Sequence, residues 1–162
     1  MIPVEVVGVR VEMPSNQPIV LLKEVEGVRF LPIWVGAVEA SAIAFAQQGV
    51  EPPRPLTHDL MKDLLRDLGG TLISVELTEL REGVFYANLN LRSALDVEVV
   101  ISARPSDAIA LALRTQSPIL ARAALLEEAG IEIPVESNSQ ANEEVERFRE
   151  FLDNINPEDF VG

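Results

Sequence analysis

The sequence predicts an α+β fold: two three-stranded meanders, each followed by a buried helix, in a mixed or antiparallel sheet with a C-terminal amphipathic helix. Three observations carry this prediction. Short apolar runs separated by turn signals come in two groups of three. Each group leads into a helix-length segment rich in alanine and other apolar residues. After Pro134 the chain turns polar and acidic.

Val4 to Glu12 alternates imperfectly and reads as a strand, with Pro14-Ser15-Asn16-Gln17-Pro18 as its turn. Ile19 to Val25 returns, and Glu26-Gly27 turns into Val28 to Trp34. Trp34, the only tryptophan, belongs in the core, with stacking on a base as the sharper alternative. Glu39 to Gln48 is helical, small-faced with Ala40, Ala42, Ala44 and Ala46, and stopped by Gly49. Pro52, Pro53 and Pro55 stiffen a connector to a helix capped by Thr57, with Leu60, Met61, Leu64, Leu65 and Leu68 at amphipathic spacing before Gly69-Gly70. A second meander follows in Thr71–Leu80, Val84–Leu91 and Leu95–Ile101. Pro105 then disfavours helix at Arg104, Ser106 is a possible cap, and residues 108–113 carry no polar side chain, so that helix must be buried on nearly all sides. Pro118 to Ala121 suits a short strand, and Arg122 to Ala129 a helix stopped by Gly130.

Both halves therefore run strand, strand, strand, helix. An offset of 66 residues lays Ala42-Ile43-Ala44-Phe45-Ala46 over Ala108-Ile109-Ala110-Leu111-Ala112, which raises an internal repeat. The expected organisation is a domain over 1–134, a polar linker over 135–142 and an acidic tail over 143–162. In the tail Val145, Phe148, Leu152 and Ile155 fall on one helical stripe, suited to docking on its own domain or on a neighbouring subunit.

At 162 residues and 48% hydrophobic content the chain can bury one sizeable core, which excludes a disordered chain. No apolar run approaches the length of a membrane span, and Met1-Ile2-Pro3-Val4-Glu5 lacks a basic leader, so a cytoplasmic protein with no membrane partner is expected. Zero cysteines exclude disulfides and thiolate metal sites. A net charge of −13 excludes a surface built for broad phosphate neutralisation. Any contact with DNA or RNA must be local, and the 11 arginines against two lysines suit bidentate phosphate contacts.

Three segments carry candidate chemistry, each a polar group entering a helix from extended chain. In Arg104-Pro105-Ser106-Asp107, Asp107 suits both the helix dipole and a site, while Arg104 exceeds what capping needs. Arg54-Pro55-Leu56-Thr57-His58-Asp59 holds the only histidine, a candidate general base or metal ligand set against an ordinary packed residue. Leu31-Pro32-Ile33-Trp34-Val35-Gly36-Ala37-Val38-Glu39 leaves a strand through a glycine and places Glu39 at a helix start. If the three entries converge, Glu39, His58 and Asp107 are the candidate catalytic residues. Arg54, Arg104 and Ser106 would contact substrate phosphate, and Glu39, Asp59 and Asp107 would hold a divalent cation such as Mg²⁺ or Mn²⁺.

At these three segments the sequence resembles the bifunctional nuclease (BFN) family in its actinobacterial form, over about residues 1–134. The resemblance implies a compact α+β domain and activity on DNA and RNA, the pair of activities assigned to plant members. Two departures stand out. Family members commonly have Asp where this chain has Ser102, so a carboxylate expected to join the site is missing. Some members end in a UVR segment, where this chain has its acidic helix.

The expected function is a nuclease working by metal-assisted or general acid/base chemistry. The rival is a regulatory or assembly module that binds protein through its acidic surface and C-terminal helix. The alanine-faced helices and the terminal stripe point to a homo-oligomer, with a dimer the simplest case.

Overall fold

In the computed structural model, which describes residues 1–12, 14–133 and Glu150, the chain opens with β1 (Ile2–Glu12), β2 (Gln17–Glu24), β3 (Arg29–Trp34) and α1 (Ala37–Gln47). Next come α2 (Thr57–Asp67), β4 (Thr71–Arg81), β5 (Val84–Arg92), β6 (Glu98–Ala103) and α3 (Pro105–Thr115). The described fold closes with β7 (Ile119–Ala121), α4 (Ala123–Ala129) and β8 (Ile131–Glu132). The expected linker and terminal helix lie outside the described residues, Glu150 apart. No helix among the described residues is long and apolar enough to cross a membrane.

The fold is α+β, as expected, around a mixed eight-stranded sheet in the order β6-β5-β4-β7-β1-β2-β3-β8. β7 runs antiparallel to β1 and parallel to β4, so the two meanders lie on either side of it with β1 and β4 opposed in direction. The main core joins Val20, Leu22, Leu31 and Ile33 of the first meander to Val75, Leu77, Phe85 and Ala87 of the second. Over it lie α1, through Ala40, Ala42 and Ile43, and α3, through Ala108 to Ala112. The small alanine side chains let α1 and α3 pack against each other. β2 is apolar without a break from Pro18 to Leu22 because both its faces are buried there: Val20 and Leu22 join the main core, while Ile19 and Leu21 meet Trp34 in a second cluster. Trp34 is thus a core residue.

Several boundaries differ from expectation for identifiable reasons. Asp96 takes a left-handed φ of 60° in a turn where Ser93 N–H donates to the Val97 carbonyl, which delays β6 to Glu98. β8 was not expected; Ile131 and Glu132 extend the sheet by pairing with Phe30 and Arg29. The helix caps shift too. Leu56, not Thr57, is the N-cap of α2, and its N–H is taken by the Asp59 carboxylate (3.0 Å). Arg104, not Ser106, caps α3, with Pro105 in the first turn, where its missing N–H costs nothing.

The apolar spacing of α2 is divided between two faces. Met61 and Leu65 pack on the core, whereas Leu60, Leu64 and Leu68 are exposed. The helix starts at Ala37 and Pro105 fix the correspondence between the halves at 68 residues rather than 66. At that offset buried Ala40, Ala42 and Ile43 match buried Ala108, Ala110 and Leu111, and Glu39 matches Asp107.

A candidate active site at three helix starts

Glu39, Asp59 and Asp107 each occupy the third position after the N-cap of their helix, where a carboxylate interacts favourably with the helix dipole. The fold brings these helix starts together. Asp107 Oδ1 lies 2.9 Å from His58 Nε2, and Asp107 Oδ2 accepts a hydrogen bond from Arg104 Nε at 2.8 Å. Arg104 Nη2 continues the chain to Glu39 Oε1 at 3.2 Å. His58, Asp107, Arg104 and Glu39 therefore form one connected polar group spanning α1, α2 and α3.

Gly36 makes room for its outer member: a Cβ there would collide with the Glu39 carboxylate. This gives the glycine before α1 a steric reason, since its φ of −70° suits any residue.

Burial pushes the Asp107 carboxyl upward, but hydrogen bonds from Arg104 and His58 outweigh it and hold the group below the ordinary aspartate range. Asp107 is then an anion at neutral pH and only accepts hydrogen bonds, so His58 Nε2 must carry the proton between them. The same contact holds the Arg104 guanidinium above its ordinary value. The His58 side chain is only 8% exposed, whereas Arg104 is 61% exposed and presents its remaining N–H groups to solvent.

Asp59 stands apart from this group. Its Oδ1 accepts from Arg114 Nε at 2.7 Å and its Oδ2 from the Leu56 N–H, and these contacts overcome burial to hold it below the ordinary aspartate range. Glu39, Asp59 and Asp107 consequently do not gather into the expected cation site. Each is taken by a cationic donor, and no group of three carboxylate or histidine side chains suited to a metal occurs among the described residues. These donors do not fit a three-ligand cation site.

Of the expected phosphate contacts, Arg104 belongs to the polar group. Arg54 is exposed in the connector before α2 and forms no ion pair among the described residues. Ser106 is buried in the first turn of α3.

Ser102 corrects another expectation. Side chains alternate across a strand, and Ala103 shares its row with Ala87 and buried Leu77 on the core face. Ser102 therefore faces away from the helices, into a cleft of about 250 Å³ lined with Thr78, Glu79, Tyr86, Asn88 and Arg122. A carboxylate at position 102 would line that cleft and would not join Asp107.

The residue missing from the sequence reading is Arg114. It follows Asp107 by seven positions, two helical turns along the same face of α3, and that spacing was the available signal. His58–Asp107 and Asp59–Arg114 together fasten the first turn of α2 along α3.

Comparison with known proteins supplies the remaining evidence. The bifunctional nuclease domain matches residues 20–134. An uncharacterized protein of Mycobacterium tuberculosis, present in strains CDC 1551 / Oshkosh and ATCC 25618 / H37Rv, is 53% identical over 97% of this chain and 96% of its own length. Bifunctional nuclease 1 of Oryza sativa subsp. japonica is 30% identical over 64% of this chain, which corresponds to 32% of the rice protein. The matched region contains all three helix starts, and the chain belongs to the bifunctional nuclease domain family.

Proposed function

We propose that this protein is a nuclease that hydrolyses phosphodiester bonds of DNA and RNA by general acid/base chemistry at the His58–Asp107–Arg104–Glu39 group. The observation that carries the reading is the bridging carboxylate of Asp107, which contacts His58 on one oxygen and Arg104 on the other. When Nε2 carries the imidazole's one proton and gives it to Asp107, Nδ1 keeps a basic lone pair. That atom takes a proton from the attacking water as its oxygen bonds to phosphorus, Asp107 stabilises the imidazolium that results, and the imidazolium returns the proton to the sugar oxygen that leaves as its P–O bond breaks. Arg104 offers bidentate N–H groups to the phosphate as charge grows on its oxygens, and Arg54 adds a second cationic contact. Glu39 holds the guanidinium in place from the far side. The name of the rice relative supports the substrate class.

A second reading has its own support. His58 is nearly buried and every carboxylate of the cluster is paired, as suits a polar clamp that fixes α2 in a regulatory or assembly module. Purified protein assayed on single- and double-stranded DNA and RNA, with Mg²⁺, Mn²⁺ or chelator, separates the two. His58→Ala, Asp107→Asn and Glu39→Gln variants run beside it. The nuclease reading expects cleavage that falls at least 100-fold, on the order of a lost acid/base group, in folded His58→Ala and Asp107→Asn. Cleavage unchanged in all three folded variants refutes it.

A further inference from the structure

The two edges of the sheet are protected very differently. One is β8, two residues long and so a poor template for another strand. The other is β6, Glu98-Val99-Val100-Ile101-Ser102-Ala103, which pairs with β5 in unbroken register and has no proline, lysine or bulge to discourage a further strand. Every second residue of such an edge directs its N–H and C=O outward.

Its side chains are apolar on both faces of the sheet. Val99 and Ile101 are exposed on the core side and Val100, at 63% exposure, on the other. Exposed Leu95 and Val97 extend the patch through the preceding turn. Leu68 adjoins it, because the end of α2 meets that turn where Gly69 approaches Ala94.

We propose that β6 is a homodimer interface, pairing antiparallel with β6 of a second copy across a two-fold axis to make one continuous sheet. Two observations choose this occupant. Antiparallel pairing sets the acidic start of each strand, Glu98, toward the Arg104 end of the other, whereas parallel pairing would stack Glu98 on Glu98. The continuous described chain ends at Ile133, next to β8, at the opposite edge of the sheet from β6. For a protein of net charge −13, a strand with a single charged side chain is also a surface on which two copies meet with little repulsion. The arrangement is isologous and closes at two. It brings the partner's strand beside Arg104, the exposed member of the polar group.

Light scattering coupled to size-exclusion chromatography tests this on the full chain. The wild type is expected at twice 17.8 kDa, Val100→Lys at once that mass with an unchanged circular dichroism spectrum, and Val28→Lys, another exposed position, in the β2–β3 turn, at twice. Hydrogen exchange on the wild type gives a reading independent of any variant: protection of the outward β6 amides should fall on dilution as dimer dissociates. A wild type of single mass at every concentration overturns the proposal. So does a dimer that folded Val100→Lys leaves intact, or β6 protection that is independent of dilution in a single-mass species, which would place the chain's own continuation or another ligand on that edge.

Discussion

Replacing Arg114 with Met removes the guanidinium that fastens α2 to α3 while keeping most of the side chain's apolar bulk. Arg114 is 6% exposed and Asp59 21%, and the substitution leaves the Asp59 carboxylate with the Leu56 N–H as its remaining described donor. Removing one partner of a buried ion pair costs about 3–5 kcal/mol. The retained backbone hydrogen bond and the partial exposure of Asp59 reduce that to about 2 kcal/mol. For a chain of this length the melting temperature should fall by about 4–8 °C. Urea denaturation with a double-mutant cycle checks the origin of the loss: Asp59→Asn in the Arg114→Met background should cost at least about 1 kcal/mol less than in the wild type. If Arg114→Met unfolds within about 0.5 kcal/mol of wild type, the pair is not a clamp and the reasoning fails.

Other outcomes follow from the same geometry. Asp59 and Asp107 are both held below the ordinary aspartate range, so their contribution to stability is complete above that range and lost as pH falls through the lowered native values. Acid titration of Arg114→Met, followed by circular dichroism, should show a shallower loss than wild type, because one of the two groups no longer contributes. Gly36→Ala should displace the Glu39 carboxylate from Arg104; on the nuclease reading the activity drops with little change in melting temperature, and undiminished cleavage would remove Glu39 from the machinery. Ile109→Ala, in the fully buried stretch of α3, should cost about 2–5 kcal/mol by urea denaturation. Val28→Ser, at an exposed position in the β2–β3 turn, should stay within about 0.5 kcal/mol of wild type in the same assay.

What the sequence made legible were local signals. The unbroken apolar run of β2, the turn residues between strands and the alanine-rich faces of α1 and α3 were enough for the two meanders and their helices. β6 was shifted because a left-handed Asp96 is not marked by composition. The division of the α2 leucines between core and solvent was hidden, because Met61 and Leu65 satisfy the same spacing as Leu60 and Leu64. At the site, the polar groups were readable as helix entries, but their partners were not. His58 and Asp107 lie 49 positions apart, and Asp59 and Arg114 lie 55 apart. The trio of Glu39, Asp59 and Asp107 is alike in chemistry and in helix position, and still divides between two arginines. The direction of Ser102 required the strand register, which motif spacing does not contain.

β7 has a consequence for how the chain assembles as it is made. These three residues are the seam between the two three-stranded meanders, and they are synthesised after both. Until Ile119 to Ala121 are available, the β1 edge has no partner from the second half, and a chain ended at Ser117 would hold two three-stranded sheets without the strand that joins them. Closure of the core therefore waits on a late, long-range event, the kind that slows folding and prolongs exposure of unpaired strands.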